Sequence, residues 1–201
     1  ASIKAGSNKY KKLVDEGQFI ATQLSVSDSD KTLALRGNSA KHPNEVFIVR
    51  SKKAKRLTDS NSWLNDKRFA KQETIKLKAR DGVELDGVLV YPLDYKKGTR
   101  YPLIMSVHGG PESHDKDGWI TNYSRPGQMG AARGYAVFYP NYRGSTGKGV
   151  DYSKLGQNDY AGKEFDDLVD FKNHLVDMGL VDSKRVGITG GSYGGYASAW
   201  G

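Results

Sequence analysis

An α/β fold preceded by an antiparallel β region is what this sequence predicts, and three observations carry the prediction. Apolar runs of strand length at 102–107, 135–139 and 185–189 are separated by long connections. One of these connections, 159–178, has the spacing of an amphipathic helix. Ahead of them, the stretch from Gln18 to Leu57 alternates short apolar segments with turn residues.

The first region reads as an antiparallel meander: Leu24/Val26, the turn at 27–30, Leu33/Leu35, the run Val46-Phe47-Ile48-Val49, then Arg56-Leu57-Thr58. Strands with so few apolar residues cannot enclose a core alone, so such a sheet stacks on neighbours, as a propeller blade does. Asp59-Ser60-Asn61-Ser62 breaks the pattern, and 63–72 reads as a linker, which predicts a boundary at 72/73. The second region opens with a hairpin, Glu73 to Ala79 and Val83 to Tyr91, closed by Arg80-Asp81-Gly82. In the helical connection Phe165, Leu168, Val169, Leu175 and Val176 fall on or near one face, and Gly179 stops the helix. Strands alternating with helix predict a mainly parallel sheet covered on both sides.

Composition excludes several classes. The chain is 37% hydrophobic and 27% charged, as soluble globular proteins are, and no apolar run approaches a membrane span. Residues 1–12 show no signal-peptide core, and the compartment, whether cytoplasmic, periplasmic or secreted, stays undecided. The absence of cysteine removes disulfides, thiolate metal sites and a cysteine nucleophile, and His42, His108, His114 and His174 have no metal-ligand spacing, so neither metal nor cofactor is expected. The net charge is +8, but residues 1–80 hold 18 Lys and Arg against 8 Asp and Glu, whereas residues 81–201 hold 13 against 15. Lysines scattered through short strands read as solvated, edge-protecting positions and not as a nucleic-acid interface.

The segment Arg185 to Ala197 is an apolar strand running into Gly190-Gly191-Ser192-Tyr193-Gly194, a G-x-S-x-G sequence. A nucleophilic serine must stand on a sharp strand-to-helix turn, which closes only where its flanks lack side chains. Gly190 and Gly194 supply that, making Ser192 the candidate nucleophile of an α/β-hydrolase. The Tyr193 amide is the first candidate donor to an oxyanion. A second donor is expected from Val107-His108-Gly109-Gly110-Pro111 at the end of another strand, Gly110 first and Gly109 second. In this fold the triad runs Ser, then acid, then His, so His108 reads as a residue that pins its loop and none of the four histidines as the general base.

The motifs GGSYGGY at 190–196, HGGP at 108–111 and NYRGS at 141–145, in that order, resemble the prolyl oligopeptidase family, nearest its acylaminoacyl-peptidase and dipeptidyl-peptidase branches. The meander, with His42-Pro43-Asn44-Glu45 before a strand, is similar to the last propeller blade of that family. The resemblance runs from about Gln18. It implies a propeller end and linker over 1–72, and over 73–201 the N-terminal part of an α/β-hydrolase peptidase domain. It also implies a serine peptidase that cleaves short peptides through an acyl-enzyme on Ser192, with Tyr193, Gly110 and Gly109 at the oxyanion hole. The triad Asp and His are expected beyond Gly201, so the chain reads as an internal fragment that is inactive alone. Short peptides are the implied partner, nucleic acid and membrane are not, and a homo-oligomer of the longer protein is left open. A carboxylesterase or lipase on the same fold, or a noncatalytic scaffold, are the rival readings.

Overall fold

The computed structural model describes residues 9–14, 19–28 and 32–201, and the backbone of residues 2–3. The chain divides into two compact units, 1–67 and 68–201. The division falls at 67/68 and not at 72/73 because the intervening residues already belong to the second unit. Phe69 packs edge-on against Trp119, while Ala70 exchanges backbone hydrogen bonds with the Gln128 side chain at 2.8 and 3.2 Å.

In the first unit, β1 (Ser2–Ile3) pairs with β2 (Tyr10–Lys11). Strands β3 (Ile20–Val26), β4 (Leu33–Ser39), β5 (His42–Arg50) and β6 (Lys53–Arg56) form a sheet in sequence order, each antiparallel to the next. The strand expected at 56–58 is instead β6, and Leu57 and Thr58 lie past its end. Gln18, Ser29 and Asp30 of the expected meander lie outside the described residues. One face buries Leu35, Phe47 and Val49, with the Phe19 ring stacked on Phe47 at 4.3 Å. Leu24, Val26, Val46 and Leu57 stay exposed. Glu45 is buried and anchors the chain past β6, accepting from Thr58 Oγ1 and from the Ser60 amide at 2.9 Å.

The second unit contains β7 (Gln72–Lys78), β8 (Glu84–Val90), β9 (Tyr101–Val107), α1 (Gly127–Ala132), β10 (Ala136–Asn141), α2 (Val150–Ser153), α3 (Lys163–Asp177), β11 (Val181–Gly190) and α4 (Tyr193–Trp200). Its five-stranded sheet has the order β11-β9-β10-β8-β7. The expected hairpin is β7–β8, whose register runs from Gln72↔Val90 to Lys78↔Glu84. The sheet is mixed and not mainly parallel. β9 pairs in parallel with β10 and β11, but β8 enters from the hairpin and is antiparallel to both β7 and β10. The run at 185–189, read as buried, belongs to an edge strand that pairs only with β9 among the described residues, and Val186 and Gly187 are exposed.

Leu85, Leu89, Leu103, Phe138, Phe171 and Leu175 form the heart of the main core. Helix α3 buries Phe165, Leu168, Phe171 and Leu175; Val169, expected inside, is exposed, and Val176 is half-buried. The helix begins at Lys163 and not at Asp159 because Asn158 and Ala161 have positive φ, 62° and 61°, and Gly162 is non-helical; Glu164 accepts the Ala161 amide just ahead of the first turn.

Past β10, Arg143 lies almost wholly buried and binds two carboxylates. Its guanidinium and amide donate to Asp167, fully buried on α3, and its Nη1 and Nη2 reach Asp81 of the hairpin turn at 2.7 and 2.9 Å. These bonds hold the Asp81 carboxyl down to about 2, from an ordinary 3.8. Replacing Arg143 by Met would leave Asp167 as a buried, unpaired charge, and a loss on the order of 3–5 kcal/mol is expected by denaturant titration. Because the Asp81 carboxyl is depressed in the folded chain, its contribution is complete above about pH 3.8 and disappears as pH falls towards 2. Asp81→Asn should flatten stability against pH within that window, and an unchanged slope would contradict the assignment.

Candidate active site

Strand β11 ends at Gly190 and α4 starts at Tyr193, so the chain reverses within two residues. Ser192 takes φ 56° and ψ −122°, a left-handed conformation costing a non-glycine residue roughly 1–3 kcal/mol. The turn is tight because strand and helix both press on the end of β9. A Cβ placed on Gly190 would lie 2.4 Å from the Val107 carbonyl oxygen and 2.7 Å from the Gly194 carbonyl carbon. On Gly194 it would lie 2.0 Å from the same Val107 oxygen. No side chain fits at either position. Ser192 is thereby raised to the surface, exposed, and no hydrogen bond to its hydroxyl occurs among the described residues.

The loop that follows β9 passes directly beside it. A Cβ on Gly109 would lie 3.1 Å from the Ser192 Cβ and 3.6 Å from its Oγ, whereas the nearest atoms around Gly110 belong to Glu112 and Ser113. Of the two glycines it is therefore Gly109 whose backbone touches the serine. Within the described residues the amides of Gly109, Gly110 and Tyr193 donate to no other group. The Tyr193 amide opens α4 directly after Ser192, and the Gly109 amide belongs to the loop that lies against it, so both are free to donate to a partner from outside the described residues.

His108 is buried and both its ring nitrogens are engaged. Nδ1 lies 2.8 Å from the Gly109 carbonyl, which only accepts, so Nδ1 carries a proton; Nε2, 2.9 Å from Ser145 Oγ, then accepts the serine hydroxyl. The Tyr142 ring stacks on the imidazole at 4.4 Å, and its hydroxyl donates to the His108 carbonyl. His108 thus pins the glycine loop and is turned away from acid–base work at Ser192. Burial pushes its imidazole below the ordinary 6.5.

A cleft of about 520 Å³ opens beside Ser192, lined by Gly109, His114, Asp115, Arg125 and Gly191 among others. His114 is held by Thr146, with Nδ1 and Oγ1 2.8 Å apart. Asp115 and Arg125 form an ion pair in this wall. Sequence reasoning missed both, since neither lies in a motif. Arg143 stands within NYRGS with no role that the motif assigns, yet an arginine two residues past a wholly buried strand needs an internal partner. Tyr193 is anchored through its hydroxyl to Glu164 of α3, another buried carboxylate that periodicity did not single out.

Residues 121–201 match the prolyl oligopeptidase family. The chain is 35% identical over 196 residues to the uncharacterized peptidase YuxL of Bacillus subtilis, covering 96% of this chain and 27% of that protein. It is 36% identical over 181 residues to dipeptidyl aminopeptidase BIII of Pseudoxanthomonas mexicana, covering 86% of this chain and 26% of that one. Among solved structures, the acylaminoacyl peptidase of Pyrococcus horikoshii superposes with a TM-score of 0.79 at 27% identity, over 94% of this chain and 30% of that one. The chain therefore spans about a quarter of the length of the curated relatives it matches.

Two outcomes follow from this geometry. Gly194→Ala must drive the elbow off the Val107 carbonyl, and a loss of roughly 2–4 kcal/mol is expected in thermal or urea unfolding; a variant of unchanged stability would show that the two backbones are not in contact. Because the buried His108 imidazole resists protonation, the unfolded chain takes up its proton first, so stability should decline as pH falls through about 6.5. A ring NMR titration of His108 with a midpoint at or above 6.5 would contradict this placement.

Proposed function

Since the chain belongs to the prolyl oligopeptidase family, we propose that its full-length protein is a serine peptidase that hydrolyses short peptides through an acyl-enzyme on Ser192. The observation that carries the reading is the strained, exposed Ser192, raised between Gly190 and Gly194 with the unspent Tyr193 amide next in sequence and the Gly109 loop against it. Ser192 Oγ attacks the peptide carbonyl carbon and its proton passes to a general base. The carbonyl oxygen becomes an oxyanion that accepts from the Tyr193 amide and from an amide of the 109–110 loop. Collapse expels the amine, which takes up the proton, and water then releases the acyl group by the same route. We assign the base to a histidine C-terminal to Ser192 in the full-length protein, the chain order this fold uses. Residues 68–201 are then the N-terminal part of an α/β-hydrolase domain, and the antiparallel sheet of the first unit is one blade of a β-propeller. Support for the blade is its exposed apolar positions Leu24, Val26 and Val46, which a neighbouring blade would cover.

The test is covalent. The full-length protein treated with a fluorophosphonate should carry the adduct on the peptide containing Ser192. Ser192→Ala should abolish labelling and lower kcat on a dipeptidyl anilide by roughly 10⁴-fold or more. A protein left unlabelled at Ser192 would be a noncatalytic relative, and one that cleaves an ester but no anilide of the same acyl group would be an esterase.

A further inference from the structure

The wall of the Ser192 cleft contains one ion pair that neither the elbow nor the glycine loop requires. Asp115 has a side chain only 5% exposed, and its backbone is clamped on both sides by Asn141 at the end of β10. The Asn141 Oδ1 accepts the Asp115 amide at 2.7 Å, and its Nδ2 donates to the Asp115 carbonyl at 3.0 Å. One carboxylate oxygen of Asp115 accepts from Arg125 Nη2, and the other takes no hydrogen bond. A carboxylate so desolvated holds its counter-charge firmly, because separating the pair would leave it bare. The guanidinium is braced a second time: it lies over the Tyr139 ring, 4.7 Å from its centroid, and Tyr139 is fully buried with its hydroxyl accepting the Gly127 amide at 2.7 Å.

Arg125 is thus held at two points, yet its side chain is 28% exposed on the cleft and its Nε and Nη1 donate to no described residue. A planar guanidinium fixed in place presents its spare N–H groups without loss of rotamer freedom on binding. Their natural acceptor follows from the local charge. Asp115 balances the charge of Arg125, so the pair carries no net charge to draw a carboxylate, whereas a neutral carbonyl oxygen needs only the donors.

We propose that Arg125 is a substrate-anchoring residue of this cleft, donating to a main-chain carbonyl oxygen of the bound peptide, with Asp115, Asn141 and Tyr139 as its positioning residues. The proposal rests on Ser192 being the nucleophile of a peptidase and names how the same cleft holds its substrate.

Binding separates the two. In the full-length protein carrying Ser192→Ala, a fluorescent peptide and a series in which one main-chain carbonyl at a time is reduced to methylene would be titrated with and without Arg125→Met. Arg125→Met is expected to weaken the parent peptide about tenfold. One reduced position should weaken binding to the Arg125 protein by a similar factor and have no further effect once Arg125 is gone. Arg125→Lys keeps the charge against Asp115, and with it the fold, and should give an intermediate loss. Equal weakening of every peptide by Arg125→Met, with a matching fall in the urea midpoint, would overturn the proposal in favour of a structural ion pair. Coupling of Arg125 only to a terminal carboxylate, seen by comparing peptide acids with amides, would overturn it as well. Fluorophosphonate labelling of the Ser192 protein reads the nucleophile independently, so a failure there is distinguishable from a failure of Arg125.

Discussion

The end of β9 and the two glycines that flank Ser192 occupy nearly the same space, and the rest of the site follows from that contact. Val107 offers its carbonyl where the side chains of residues 190 and 194 would stand. With both absent, β11 can hand over to α4 in two residues, which puts the residue at the apex into a left-handed conformation and out of the core. The same closeness brings the loop after β9 against the serine, because its first residues continue from Val107. Raised hydroxyl, helix N-terminus and glycine loop are therefore consequences of one backbone-to-backbone contact and not three separate placements.

A second organising element is the turn after β10. Asn141 clamps Asp115 and donates to Asp86, Tyr142 stacks on His108, Arg143 binds Asp167 and Asp81, and Ser145 donates to His108 Nε2. Four of the five residues 141–145 thus reach the hairpin, α3, the glycine loop and the cleft wall. These groups are buried, so each would be costly if left unpaired. Their satisfaction is mutual: moving the glycine loop would strip partners from Ser145 and Tyr142 together. The start of the loop is pinned for that reason, although two glycines in succession would leave it free in isolation.

Much of this was legible in the sequence, in proportion to how local the cause is. The hairpin at 72–90 announced itself by alternation and an Asp-Gly turn, and the elbow by glycine spacing, both properties of a few adjacent residues. Strand direction was not local. β8 looks like any buried strand, and only its place beside β10 makes the sheet mixed. Period predicts helix α3, yet it does not single out the buried Phe171 and it puts the exposed Val169 inside, since the packing face is set by which strand lies opposite. Asp115 and Arg125 were invisible for a stronger reason: their pairing depends on Asn141 and Tyr139, distant in sequence, and no spacing encodes it. Between the two glycines of the loop the sequence puts Gly110 first as donor, whereas Gly109 is the one that lies against Ser192, because that depends on how the chain turns after His108.

The strain at Ser192 has to be offset by structure on the far side of the elbow, and Tyr193 shows where. Its hydroxyl donates to the buried Glu164, and its ring lies among Tyr142, Phe165 and Tyr196 at centroid distances of 6.3, 5.9 and 5.7 Å. Glu164 at the same time accepts the Ala161 amide just ahead of α3. The residue after the serine is therefore held at both ends, its backbone by α4 and its side chain by α3. Relaxing φ at Ser192 would rotate the intervening peptide and pull the Tyr193 hydroxyl from its carboxylate. One buried hydrogen bond and an aromatic cluster, each worth about 1 kcal/mol or more, match the cost of a single left-handed residue. The same anchoring orients the Tyr193 amide, so the interactions that tolerate the strain also fix the direction in which that amide points.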